Sequence, residues 1–193
     1  REGEGISARL SELMDRNPDK IALAFSIMLT LPGTPIIYYG DEFGKLNDEA
    51  YYKQKIKETG KDDTRFLVRG KIDWEQLEKD LSKPGSFSRE VFEKISKQVK
   101  KRKKYKAFGR GSIYWVETRC KEGRSCDYIL AFIRKWKSQR LLIIHNLSDR
   151  PRIFGLSMLP EISWTDMFGT QAQYSEADQM LTLEPYGYLW LKL

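Results

Sequence analysis

A few side chains in this sequence stand where they could do chemistry. Asp41 and Glu42 sit side by side between Gly40 and Gly44, directly after the apolar run Pro35-Ile36-Ile37-Tyr38-Tyr39. Two carboxyl groups can divide the work of acid and base, or of acid and nucleophile, when their surroundings set them apart. A second charged set, Asp62-Asp63-Thr64-Arg65, lies inside a long polar stretch. The single histidine, His145, is embedded in Leu141-Leu142-Ile143-Ile144-His145-Asn146-Leu147. An imidazole in such a run is expected to be a hydrogen-bonded sheet residue, because a base needs an acid or nucleophile beside it. Cys120 and Cys126 flank a Lys-Glu-Gly-Arg-Ser turn. Their spacing permits a hairpin disulfide, but in so cysteine-poor a chain the expectation is two reduced thiols on a loop.

No complete catalytic set can be assembled from these residues. The sequence holds no Gly-x-Ser-x-Gly elbow, no phosphate loop, no Gly-x-Gly-x-x-Gly and no His-Glu-x-x-His. No catalytic residue is therefore assigned, and no cofactor is expected. Two cysteines and one histidine also fall short of an ordinary zinc site, so no metal is expected either. Asp41 and Glu42 have an alternative reading as braces of the turn between the glycines.

The chain has 193 residues with 34 Lys and Arg against 27 Asp and Glu, a net charge of +7. That length suits one domain or two small ones. With 40% apolar and 12% aromatic residues it can pack a core, which excludes a disordered or collagen-like chain. The longest apolar stretch, residues 21–31, is well short of the roughly 20 residues that cross a bilayer, and no membrane partner is expected. Much of the positive charge lies in residues 97–106. At the C-terminal end of a helix such a run is favoured by the dipole and reads as a solvated face; with thin aromatic interleaving and no recognition motif, no nucleic-acid partner is expected. The first residues show neither an initiator methionine nor a targeting signal, which suggests a piece of a longer protein.

The elements that must hold these residues fall into two blocks. Asn17-Pro18-Asp19 is a helix start, since Asn can cap, Pro at the first position loses no needed hydrogen bond, and Asp suits the positive end of the dipole. The helix it opens is apolar on every side and must be buried. Residues 36–39 form a continuous apolar run, the pattern of a parallel strand covered on both faces, which would place Asp41 and Glu42 at the ligand-binding end of that strand. Residues 47–69 show no apolar period and read as a long loop. Helices are expected over 74–81 and over 86–104, the latter from Phe87, Val91, Ile95 and Val99 at four-residue spacing. Beyond Gly111 the signals are strands at 113–116, 128–134, 140–147, 152–156, 179–183 and 188–193, or about six to eight in all, as in a small antiparallel sandwich. Trp115 and Trp190 are expected in its core. Trp136, beside the turn residues Lys137-Ser138, is the candidate for stacking on a sugar ring, as in a carbohydrate-binding or interaction module.

The stretch Leu31-Pro32-Gly33-Thr34-Pro35-Ile36-Ile37-Tyr38-Tyr39-Gly40-Asp41-Glu42-Phe43-Gly44 resembles the last barrel strand of the α-amylase superfamily, glycoside hydrolase family 13. Asp62-Asp63-Thr64-Arg65, Ile72-Asp73-Trp74 and the closing Leu183-Glu184-Pro185-Tyr186-Gly187-Tyr188-Leu189-Trp190 follow in the family's order, closest to its trehalose synthase and α-glucosidase branch. The resemblance implies an α+β fragment: the last helices and strand of a (β/α)8 barrel over residues 1–106, then an antiparallel β-sandwich over 107–193. It implies a parent enzyme that hydrolyses or transfers α-glucosides with retention, through a covalent glucosyl-enzyme. The partners implied are an α-glucoside or maltooligosaccharide and the rest of the catalytic barrel. The family's nucleophilic Asp, general-acid Glu and stabilising Asp lie in motifs that this sequence does not contain, so the chain alone is expected to be inactive. By the same resemblance Asp41 and Glu42 belong to the active-site rim. Asp62 and Arg65 match an Asp-x-x-Arg near the sugar subsites, although Phe66-Leu67 replaces the usual Pro-Met, and a salt-bridged loop anchor is the alternative for Arg65.

Overall fold

A computed structural model describes residues 7–120, 126–156, 164–169, 173–175 and 179–193. The chain forms two compact units, residues 1–22 with 36–96 and residues 23–35 with 97–193. Its helices are α1 (Leu10–Leu13), α2 (Pro18–Thr30), α3 (Glu49–Thr59), α4 (Trp74–Ser82), α5 (Phe87–Lys104) and α6 (Lys106–Arg110). The Asn17 side chain caps α2 as its sequence predicts, accepting from the amides of Asp19 at 2.9 Å and Lys20 at 3.2 Å. No residue of α2 from Ile21 onward is exposed.

Within the first unit, α3 occupies a stretch expected to be loop. Its interior has no apolar face and buries no residue, so periodicity could not reveal it. Its ends carry the signal instead. Asp48 accepts from the Tyr51 amide at 2.8 Å, and Gly60 closes the helix at φ 68°, where a side chain would be strained. The expected strand at 36–39 requires a second correction. The segment is irregular and pairs with no strand among the described residues, and Ile36 is 81% exposed. A continuous apolar pattern asks for neighbours on both sides and cover on both faces, and the described residues supply neither.

The second unit is built on two antiparallel sheets. The larger has the order β1 (Ser112–Trp115), β3 (Ile129–Trp136), β4 (Gln139–Asn146), β9 (Tyr188–Lys192), β6 (Thr165–Asp166). The smaller runs β2 (Thr118–Arg119), β5 (Arg152–Leu156), β8 (Met180–Leu183), β7 (Gln173–Ser175). The six predicted strands are present to within two residues at each end. The three not predicted are only two or three residues long. Between the sheets pack Ile133, Leu142, Ile144, Phe154, Leu181 and Leu191.

The other face of the large sheet is covered too, by residues 23–30 of α2 and by α6. Phe108 of α6 stacks on Trp190 at 4.8 Å, while Arg134 donates to the carbonyl of Thr30, to that of Phe108 at 2.9 Å and to that of Gly111 at 2.8 Å. Arg102 reaches the carbonyls of Leu29 and Gly33. These guanidinium groups satisfy carbonyls that a helix end leaves without partners. Double cover explains why Leu141, Leu142, Ile143 and Ile144 are all fully buried, whichever way each side chain points.

Cys120 and Cys126 are joined in a disulfide, with Cα atoms 5.3 Å apart. The reduced thiols expected from composition are thus corrected: the end of β2 and the start of β3 bring the two residues within bonding range.

At one end of the sandwich, buried Asn146 ties two turns together. Its amide nitrogen donates to the carbonyls of Arg150 at 2.7 Å, Leu183 at 3.1 Å and Glu184 at 2.9 Å, and its oxygen accepts from the Ser148 amide at 3.0 Å and hydroxyl at 2.7 Å. Asn146→Ala is expected to cost about 2–3 kcal/mol in urea unfolding, because several buried groups lose their partner. Asn146→Asp is expected to cost more, since it turns a carboxylate oxygen toward three carbonyls; an Asp variant as stable as wild type would contradict this assignment.

Candidate functional site

The acidic pair sits on a short 3-10 turn, Asp41–Phe43, bounded by Gly40 at φ 95° and Gly44 at φ 76°. Both glycines occupy the left-handed region, which lets the chain reverse within five residues. Glu42 folds back to accept from the Gly40 amide at 2.7 Å. Asp41 faces Arg9, whose guanidinium lies 3.3 Å away. Burial raises the Asp41 pKa above its usual value, and the charge of Arg9 opposes that rise.

Arg9 was not singled out by sequence reasoning. It is 1% exposed, and it donates to the carbonyls of Tyr39 and Val68 while resting over the rings of Tyr38 and Tyr39 at 4.7 and 4.8 Å. Its own amide donates to the Asn47 side chain at 2.8 Å. A lone arginine near the start of a chain gives no pattern from which such a place could be read.

The second charged set divides between two partners. Arg65 pairs side-on with Asp63, at 2.8 and 2.7 Å, and these bonds hold the exposed Asp63 carboxyl down to about 2. Asp62 instead accepts from the Tyr52 hydroxyl of α3 at 2.5 Å. A cavity of about 690 Å³ opens beside the turn, lined by Phe43, Lys45, Asp48, Ile72, Gln76 and Phe87 among others. None of Asp41, Glu42, Asp62 and Arg65 lines it. Its Asp48 and Asp73 cap α3 and α4. Among the described residues no cluster of His, Cys, Asp and Glu could hold a metal ion.

In the second unit Trp136 is half-buried at the end of β3, opposite Gln139. Trp190 is fully buried as expected, but Trp115, expected in the core, is 65% exposed on the edge strand β1. Phe132 meets its ring at 5.6 Å, edge to face. His145 is buried in the sheet, its Nε2 2.9 Å from Ser26 Oγ, to which Trp190 Nε1 also donates at 2.8 Å. An indole only donates, so Ser26 accepts there and its proton is available to the imidazole. Burial lowers the His145 pKa to about 3. Ser26 and His145 are both fully buried, where no substrate reaches them, and the histidine is a structural member of the sheet.

These features were compared with known proteins. The profile of the maltogenic amylase C-terminal domain matches residues 125–190. Alpha-amylase 3 of Dictyoglomus thermophilum is 28% identical over 91% of this chain and 34% of its own length. Trehalose synthase/amylase TreS of Mycobacterium tuberculosis is 24% identical over 98% of this chain and 34% of its own. The chain is thus similar to α-amylase-family proteins, trehalose synthases among them, and its last third to a C-terminal domain of that family. It spans about a third of the length of these curated relatives. The fold agrees: the trehalose-6-phosphate hydrolase TreA of Bacillus licheniformis superposes with a TM-score of 0.66 at 19% identity, over 96% of this chain and 41% of that one.

The buried histidine sets a pH dependence for this region. Its folded pKa of about 3 lies below the unfolded value of ~6.5, so the unfolded chain binds the extra proton between them. Stability from this group is complete above that upper value and falls as pH drops through the window. From pH 7 to pH 5 the loss is expected to be about 2 kcal/mol in urea unfolding, and His145→Gln should remove that share of the slope. Equal slopes in the two proteins would contradict the assignment.

Proposed function

We propose that this chain is the C-terminal part of a retaining α-glucoside hydrolase or transglycosylase, working through a covalent glucosyl-enzyme formed on residues of the longer protein. The observation that carries the reading is the similarity over nearly the whole chain to proteins named α-amylase and trehalose synthase. In this reading residues 1–106 are the last portion of a (β/α)8 barrel and 107–193 its C-terminal sandwich. Asp41 and Glu42 stand at the rim of the active site, with Asp62 and Arg65 near the sugar subsites. The Asp63–Arg65 pairing supports an anchoring role for Arg65, which would set the loop's shape without touching sugar.

Retaining cleavage needs two carboxyl groups about 5 Å apart across the scissile bond, and a barrel site draws them from several strands. Asp41 and Glu42 are adjacent residues of one turn, engaged with Arg9 and with the Gly40 amide, and so do not draw on several strands. The isolated chain is therefore expected to give no turnover of maltose, trehalose or a nitrophenyl glucoside. Turnover above blank that survives repurification would overturn the assignment of the reactive acids to the longer protein.

The exposure of Trp115 favours a second reading, a carbohydrate-binding role for the sandwich. Here titration of tryptophan fluorescence with maltoheptaose is the test. A saturable change that Trp115→Ala abolishes and Trp136→Ala leaves intact supports it, and an unchanged spectrum rules it out.

A further inference from the structure

We infer that Arg9 is a positioning residue that couples the rim turn of Asp41 and Glu42 to the loop carrying Asp62 and Arg65. The roles of those four residues rest on the proposed function, whereas the coupling itself rests on geometry alone. One guanidinium bridges two places far apart in sequence. One of its nitrogens serves the carbonyl of Tyr39 and the carboxylate of Asp41, and the other serves the carbonyl of Val68. Val68 ends the 3-10 turn Thr64–Val68, which begins directly after Asp62 and Asp63 and contains Arg65. The turn and the loop therefore share a single donor.

The segment that brings Arg9 there is itself fixed on both sides. Ser7 accepts from the Thr64 hydroxyl at 3.1 Å, on the loop side. The Arg9 amide bonds to Asn47, the residue before the cap of α3. The rings of Tyr38 and Tyr39 touch each other, with centroids 4.8 Å apart, and together they pack against the guanidinium at 4.7 and 4.8 Å. The fork matters because its nitrogens point in fixed, divergent directions. A lysine ammonium at this depth is one compact centre and cannot serve both carbonyls in the same geometry. Three direct links also join the flanks of turn and loop, from the Tyr39 hydroxyl to the Gly70 carbonyl at 3.2 Å, from the Lys45 ammonium to the Lys71 carbonyl at 3.0 Å and from the Asp48 amide to the Leu67 carbonyl at 2.8 Å. The test must separate these from Arg9.

Hydrogen-exchange mass spectrometry on the full chain does so. In Arg9→Lys, protection is expected to fall at least tenfold in both 41–45 and 64–69. Peptides of β3 and β4 should keep their wild-type rates, which would show that the chain remains folded. Tyr39→Phe, which removes the Tyr39–Gly70 link, and Lys45→Met, which removes the Lys45–Lys71 link, should each leave 41–45 within threefold of wild type. In Arg9→Ala, millimolar methylguanidinium should restore protection in both segments together, whereas methylammonium should restore neither. Loosening of one segment alone, equal loss in β3 and β4, or loss in Tyr39→Phe or Lys45→Met as large as in Arg9→Lys would overturn the inference. None of these readouts depends on turnover, so a failure here is distinct from a failure of the enzymatic reading.

Discussion

The structure depends on guanidinium groups placed where peptide carbonyls would otherwise lack a donor. Arg134 is 1% exposed and collects carbonyls from the end of α2, from α6 and from the residue after it. Arg102 takes two more around the end of α2, and Arg9 does the same for the rim turn and the loop before Arg69. A buried charge is costly unless its hydrogen-bonding capacity is met, and a carbonyl left bare in the interior costs about 1–3 kcal/mol. Each arginine supplies donors to more than one carbonyl, although the Nε atoms of Arg9 and Arg134 are buried without a partner of their own. Burial, with Arg102 nearby, draws the Arg134 pKa below its usual value, as expected when a cation is answered mainly by dipoles.

What could be read from the sequence follows from which signals are local. The cap at Asn17, the four-residue stripe of α5 and the six longer strands all depend on neighbours in the chain, and all are found. The continuous apolar pattern is different, because it reports an environment. Residues 141–144 and 36–39 carry the same pattern, yet the first is the doubly covered strand β4 and the second pairs with nothing among the described residues. Pattern alone cannot say which polypeptide provides the cover. Helix α3 escaped notice for the opposite reason, since its stability comes from its caps and helix-forming residues and not from a buried face.

The candidate site was legible in part. Motif resemblance placed Asp41 and Glu42 on a turn, and the structure gives that turn a 3-10 form between two left-handed glycines. Sequence order did not reveal that Arg65 would choose Asp63 while Asp62 turned to Tyr52, because which of two adjacent carboxylates faces the arginine depends on the local turn geometry. Arg9 was invisible for a simpler reason: its partners are backbone carbonyls, which leave no trace in side-chain identity.

One feature of the second unit bears on how such proteins change over evolutionary time. Residues 23–35 pack with 97–193, so one face of the large sheet is roofed by a helix encoded 104 to 164 positions upstream of the strand residues it bonds. Transplanting the strands alone would leave Ser26 behind and expose the His145–Trp190 layer to water. A sandwich roofed in this way is inherited together with the helix that covers it, and recombination between lineages should seldom separate the two.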